Sequence, residues 1–111
     1  MPKYMINICY GTREAATHPK DDEFIMQKYR EWSERIQGKT VIAHKLKDEE
    51  GRRLELKKGK IVDGPYSETK ESIGGFYIIE AANYTEVSEI SKGCPTLLYQ
   101  GGFVEVREVE F

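Results

Sequence analysis

The sequence predicts an α+β domain: an antiparallel sheet with two helices packed on one of its faces. Three observations lead there. Short segments rich in β-branched and aromatic residues recur near Tyr4, Thr40, Gly75 and Phe103. Two stretches, after His18-Pro19 and after Asn83, carry helix start signals and end at Gly38 and Gly93. A charged hairpin stands between the strand segments near Thr40 and Gly75.

The first strand is predicted over Tyr4 to Tyr10. Tyr4, Ile6 and Ile8 fall on one face, Met5 and Cys9 on the other. After a polar loop from Gly11 to Lys20, His18-Pro19 puts proline at a first helical position. Asp21, Asp22 and Glu23 then place acid where the helix dipole favours it. The helix runs to about Gln37, with an apolar stripe of Ile25, Tyr29, Trp32 and Ile36 and Gly38 as its stop. Tyr29 and Trp32 are read as core.

Thr40 to Leu46 is the second strand. Arg53–Leu56 and Lys60–Val62 form the hairpin, turning near Lys58-Gly59. Asp63 to Ser72 is a polar loop with a tight Gly64-Pro65 turn. Gly75 to Ala81 is the next strand, apolar on both faces. Asn83 caps a short helix with Glu86 at the capping-box position, and Pro95 prevents its continuation. Gly101-Gly102 then leads into a last strand, Phe103 to about Val109. The order β-α-β-hairpin-β-α-β is ferredoxin-like.

Two helices cover one face of such a sheet. Strands apolar on both faces therefore leave a second face to be covered. A second copy packed sheet to sheet is the simplest cover, and a homodimer is expected. The alternative is that the hairpin and loops fold over that face.

The chain has 111 residues, read as one domain over 1–111, enough to bury one core. Charged residues make up 32% and the net charge is −2 with both signs interspersed, which argues against a nucleic-acid partner. No apolar run approaches the roughly 20 residues of a membrane helix. No signal-peptide pattern opens the chain, so a membrane partner is excluded and the cytoplasm is the expected compartment. Cys9 and Cys94 are too few for a disulfide scaffold, and neither has a His or Cys at metal-ligand spacing. No metal and no cofactor are expected.

The densest polar segment is Asp63-Gly64-Pro65-Tyr66-Ser67-Glu68-Thr69-Lys70-Glu71. It places carboxylates beside an ammonium on a loop between strands, the material of acid–base chemistry. Read as structure alone, it is a solvated turn. His44, in Ile42-Ala43-His44-Lys45, is a further proton carrier if it faces the same cleft; His18 is read as a helix-start residue.

DGPYSETKESIGGFYIIEA, residues 63 to 81, resembles the signature of the YCII-related domain family in its DGPF-type branch, usually met as DGPF-A-E-T-K-E-x-x-G-G-F-Y. The resemblance runs across nearly the whole chain. Lys3-Tyr4-Met5, the Gly59-Lys60 hairpin, Cys94-Pro95 and Gly102-Phe103-Val104-Glu105-Val106-Arg107 all look like family positions. It implies a ferredoxin-like fold that dimerises as an α+β barrel. It implies no single activity, although the wider superfamily includes small enzymes with a His–Asp pair in a cleft. Tyr66 stands in place of the usual Phe, and Lys28 where family enzymes carry their His, which leaves Asp63 as the Asp partner.

Three functions follow in order. The first is a small cofactor-free enzyme acting on a small organic molecule, with Asp63, His44 and Lys70 catalytic and Tyr66, Glu68 and Glu71 binding the ligand. The second is a non-catalytic ligand-binding or regulatory dimer using the same cleft. The third is a purely structural dimer in which the signature only shapes a loop.

Overall fold

A computed structural model describes residues 1–9, 22–47, 51–64, 73–99 and 101–110. The elements are β1 (Lys3–Cys9), α1 (Asp22–Ile36), β2 (Thr40–Lys45), β3 (Leu54–Lys57), β4 (Lys60–Asp63), β5 (Ile73–Glu80), α2 (Tyr84–Ser91) and β6 (Phe103–Val109). Short 3-10 turns, Gln37–Lys39 and Pro95–Leu98, follow the two helices.

The main sheet has the order β2-β5-β1-β6 with every neighbour antiparallel. This is the α+β, ferredoxin-like arrangement predicted. Side-chain alternation fixes its two faces. Tyr4, Ile6 and Ile8 of β1, Tyr77 and Ile79 of β5, and Val104 and Val106 of β6 share one face and join Trp32, Ile36 and Val87 of the helices in a single core. The spacing of Ile25, Tyr29, Trp32 and Ile36 predicted that helix stripe. Trp32 is its centre: it is 1% exposed, donates its indole N–H to the Ile90 carbonyl at 3.1 Å, and meets Tyr77 edge to face at 4.8 Å.

The other face holds Met5, Asn7, Ile42, His44, Phe76, Ile78, Glu105 and Arg107. No helix covers it. Ile42 and Ile73 remain 42% and 43% exposed, where Tyr4, Ile6, Ile8 and Ile79 of the opposite face are buried. A bulge at Val41 in β2 restores the alternation, so that Ile42 pairs with Ile78.

The hairpin forms where predicted but as a separate two-stranded sheet, β3 with β4. Lys58 (φ 50°) and Gly59 (φ 78°) supply the two left-handed residues of a tight turn. The hairpin does not fold back over the open sheet face: Leu54, Leu56 and Ile61 stay 65–69% exposed. The molecule is 19 Å along its shortest axis, the depth of one sheet and one helix layer.

Several boundaries differ from the sequence reading for local reasons. Asp63 is the last residue of β4 rather than the start of a loop, because the hairpin ladder pairs it with Leu54. Gly38 does not end α1 in a left-handed cap. The helix tightens into the Gln37–Lys39 turn, and the Thr40 hydroxyl donates to the Ile36 carbonyl at 3.0 Å. β5 begins at Ile73, two residues early, and the chain after α2 makes a further 3-10 turn at Pro95–Leu98. The α2 cap is one-directional. Asn83 Oδ1 accepts from the Glu86 N–H at 2.9 Å, but the Glu86 carboxylate turns to Lys39 Nζ at 2.8 Å. The predicted helix start at His18-Pro19 and the residue Tyr10 lie outside the described residues.

Candidate functional site

Strand directions bring four strand ends together at one end of the sheet. There β1 leaves at Cys9 and β2 at Lys45, and there β5 starts at Ile73 and β6 at Phe103. Helix α1 runs back along the sheet, so its first turn, at Asp22, belongs to the same end. The Leu46 N–H donates to the Gly74 carbonyl at 2.9 Å, which ties the chain after β2 to the first turn of β5. The signature segment therefore rejoins the sheet directly beside the exit of β2.

His44 lies at this end, on β2 and on the open face. It is cross-strand from Phe76, with ring centroids 6.0 Å apart, and it is exposed. It is thus no satisfied core histidine.

Asp63 closes the base of the hairpin. It is exposed, and the next residue, Gly64 (φ 99°), donates its N–H to the Arg53 carbonyl at 2.6 Å. That left-handed conformation explains glycine at the second signature position. Asp63 and His44 belong to different sheets, joined through the signature segment. Tyr66, Glu68, Lys70 and Glu71 lie outside the described residues, as does His18.

Lys28, at the position matched to the family histidine, is on the partly exposed surface of α1. Its ammonium is 3.6 Å from Glu31 and 5.4 Å from the centre of the Phe24 ring. Neither contact leads into the core. Cys94 and Cys9 are buried, and burial pushes both thiols up from their ordinary range. The Thr96 hydroxyl holds the Cys9 carbonyl at 3.0 Å, which fastens the Pro95–Leu98 turn to the end of β1.

Sequence reasoning missed one polar pair. The hydroxyls of Ser33 and Tyr77 meet at 2.6 Å, half-buried between α1 and β5 and next to Ala43 of β2. The available signal was a tyrosine at a core-facing strand position, because a buried phenol needs a partner. An open polar depression lined by Arg107, Glu108 and Glu110 lies at the far end of β6, away from His44 and Asp63. No helix among the described residues is long and apolar enough to cross a membrane.

Among solved structures, the chain is similar to 5-chloro-2-hydroxyhydroquinone dehydrochlorinase from Burkholderia phenoliruptrix. The two share 17% identity over 95% of this chain and 91% of that one, with a TM-score of 0.42. No curated protein matches the sequence. The family model for the YCII-related domain matches residues 3–111, so the chain belongs to the YCII-related domain family.

Proposed function

We propose that the protein is a small enzyme acting on a small organic molecule at the sheet end where the signature segment meets β2 and β5. The observation that carries this reading is His44, an exposed imidazole cross-strand from the Phe76 ring and near the point where that segment rejoins the sheet. Phe76 gives a flat ligand an apolar floor, and His44 takes or gives a proton at its edge. Asp63 supplies the carboxylate and Lys70 an ammonium that stabilises developing negative charge. Tyr66, Glu68 and Glu71 orient the ligand from the same segment. A homodimer belongs to this reading. The open face beneath His44 is apolar around Ile42, Phe76 and Ile78, and among the described residues no helix or hairpin covers it.

A second reading is a non-catalytic ligand-binding dimer using the same surface. It is favoured by Lys28, which is occupied with Glu31 and Phe24 where family enzymes carry a histidine.

The test is a panel of hydroxylated aromatics and lactones, scored for turnover and for perturbation of the two histidine ring signals in NMR. Turnover that falls at least tenfold in His44→Gln and Asp63→Asn, but not in Glu55→Gln, is the expected result. Binding at His44 without turnover selects the ligand-binding reading. A panel that neither perturbs His44 nor reacts overturns both.

A further inference from the structure

The β3–β4 hairpin has two unlike faces. Ladder pairing puts Leu54, Leu56 and Ile61 on one, with Asp63 at its base, and Glu55, Lys57, Lys60 and Val62 on the other. The polar face is internally satisfied: Glu55 bonds Arg53 and Lys57, whose charges hold its carboxyl below the usual range. On the apolar face the three large side chains are 65–69% exposed, and among the described residues the hairpin packs extensively on no other helix or strand. A two-stranded ribbon alone is marginal in water. Together the three side chains present on the order of a few hundred Å² of apolar surface, the size at which a patch marks an interaction site.

Resting on the dimer reading above, we propose that the hairpin is an arm that packs its Leu54–Leu56–Ile61 face on a second copy of this chain. Two arguments select that occupant. The first is area. A stable interface needs roughly 800 Å² per partner. The open sheet face is interrupted by His44, Glu105 and Arg107, and an arm adds apolar surface beyond it. The second is charge. The hairpin end carries Lys57, Lys58 and Lys60, while the free edge strand β6 and the residue after it carry Glu105, Glu108 and Glu110, all exposed. Two sheets stacked face to face about a two-fold axis parallel to their strands set the β2 edge of one over the β6 edge of the other. The hairpin is inserted between β2 and β5, so that axis brings its basic end to the partner's acidic edge. The charged turn at Lys58-Gly59 disfavours insertion into a lipid layer, which calls for an apolar tip.

Sedimentation velocity across protomer concentrations tests the arm. Leu56→Lys is expected to raise the dimer dissociation constant about a hundredfold, tenfold for each of two symmetry-related arms. Unchanged far-UV CD and Trp32 emission would show that the core stays folded. Lys60→Glu, which leaves the apolar row intact, should weaken the dimer, and adding Glu108→Lys should restore it. A wild-type protein that is monomeric throughout overturns the dimer reading and the arm together. A wild-type dimer whose dissociation constant is the same in Leu56→Lys and Lys60→Glu overturns the arm alone. Wild-type binding to phosphatidylserine vesicles that Leu56→Lys abolishes, with the dimer unaffected, also overturns it and assigns the face to lipid.

Discussion

Replacing Trp32 with Phe removes one hydrogen bond and part of one ring from the place where both helices meet the sheet. The indole N–H donates to the Ile90 carbonyl at 3.1 Å, and the ring is 1% exposed. The Ile90 carbonyl keeps the Gly93 N–H at 3.2 Å, so losing the indole donor costs about 1 kcal/mol rather than a full desolvation penalty. Two buried ring carbons are lost as well, roughly 1.5 kcal/mol at about 0.8 kcal/mol per methylene-sized group. The edge-to-face contact with Tyr77 survives, since a phenyl ring can keep it. The expected loss is therefore about 2.5 kcal/mol, a large share of the stability of a domain of this size. Urea unfolding followed by far-UV CD is the assay, at equal protomer concentrations, because Trp32 is the single tryptophan and its emission disappears with the substitution. A loss under about 0.5 kcal/mol with an unchanged slope would refute the reasoning, since a buried, bonded indole cannot be that cheap to trim.

Gly102→Ala should destabilise by about 1–3 kcal/mol, because its Cβ would overlap the Thr96 backbone carbonyl, which has no rotamer to escape into. Gly38→Ala, with nothing within 4 Å, should be neutral or slightly stabilising, and equal thermal shifts for the pair would contradict this. Lys39 holds the Glu86 carboxyl below its ordinary range, so the stabilisation is present above the unfolded carboxylate value and is lost as pH falls through the depressed folded value. Glu86→Gln should flatten that acid limb of a stability–pH curve, and an unaltered limb would show the pair to be inert. Cys9 and Cys94 should react with a thiol reagent only as the protein unfolds; rapid labelling of either in native buffer would mean that its burial is transient.

What the sequence made legible follows periodicity. Trp32 and Ile36 fall on a helical stripe, Tyr4, Ile6 and Ile8 on one strand face, and both patterns are imposed by the core that they enter. Asn83 and the Lys58-Gly59 turn were legible because cap and turn chemistry is local. The early start of β5 was not, because the partner of Ile73 is Cys9, sixty-four residues away, and a bulge between them hides the register. Nor was the end of α1, which rests on a Thr40 hydroxyl rather than on Gly38. The candidate site divides the same way. His44 was visible as a strand residue, but its Phe76 neighbour depends on pairing between distant segments. Asp63 was assigned to the signature loop, and only the hairpin ladder makes it a strand terminus.

The two faces of β5 separate what this chain needs to stand from what it can use to act. Tyr77 and Ile79 point into the core, where Tyr77 meets Trp32 and Ser33, and a change there is felt as packing. Phe76 and Ile78 point to the open face, where Phe76 meets His44, and a change there leaves the core intact. Neighbouring residues one peptide apart thus belong to different energetic systems, a consequence of a side-chain period of two. The core side is committed: the Trp32 indole ties α1 to α2 and the Thr96 hydroxyl ties the Pro95–Leu98 turn to β1. The open face instead carries the exposed Ile42 and His44.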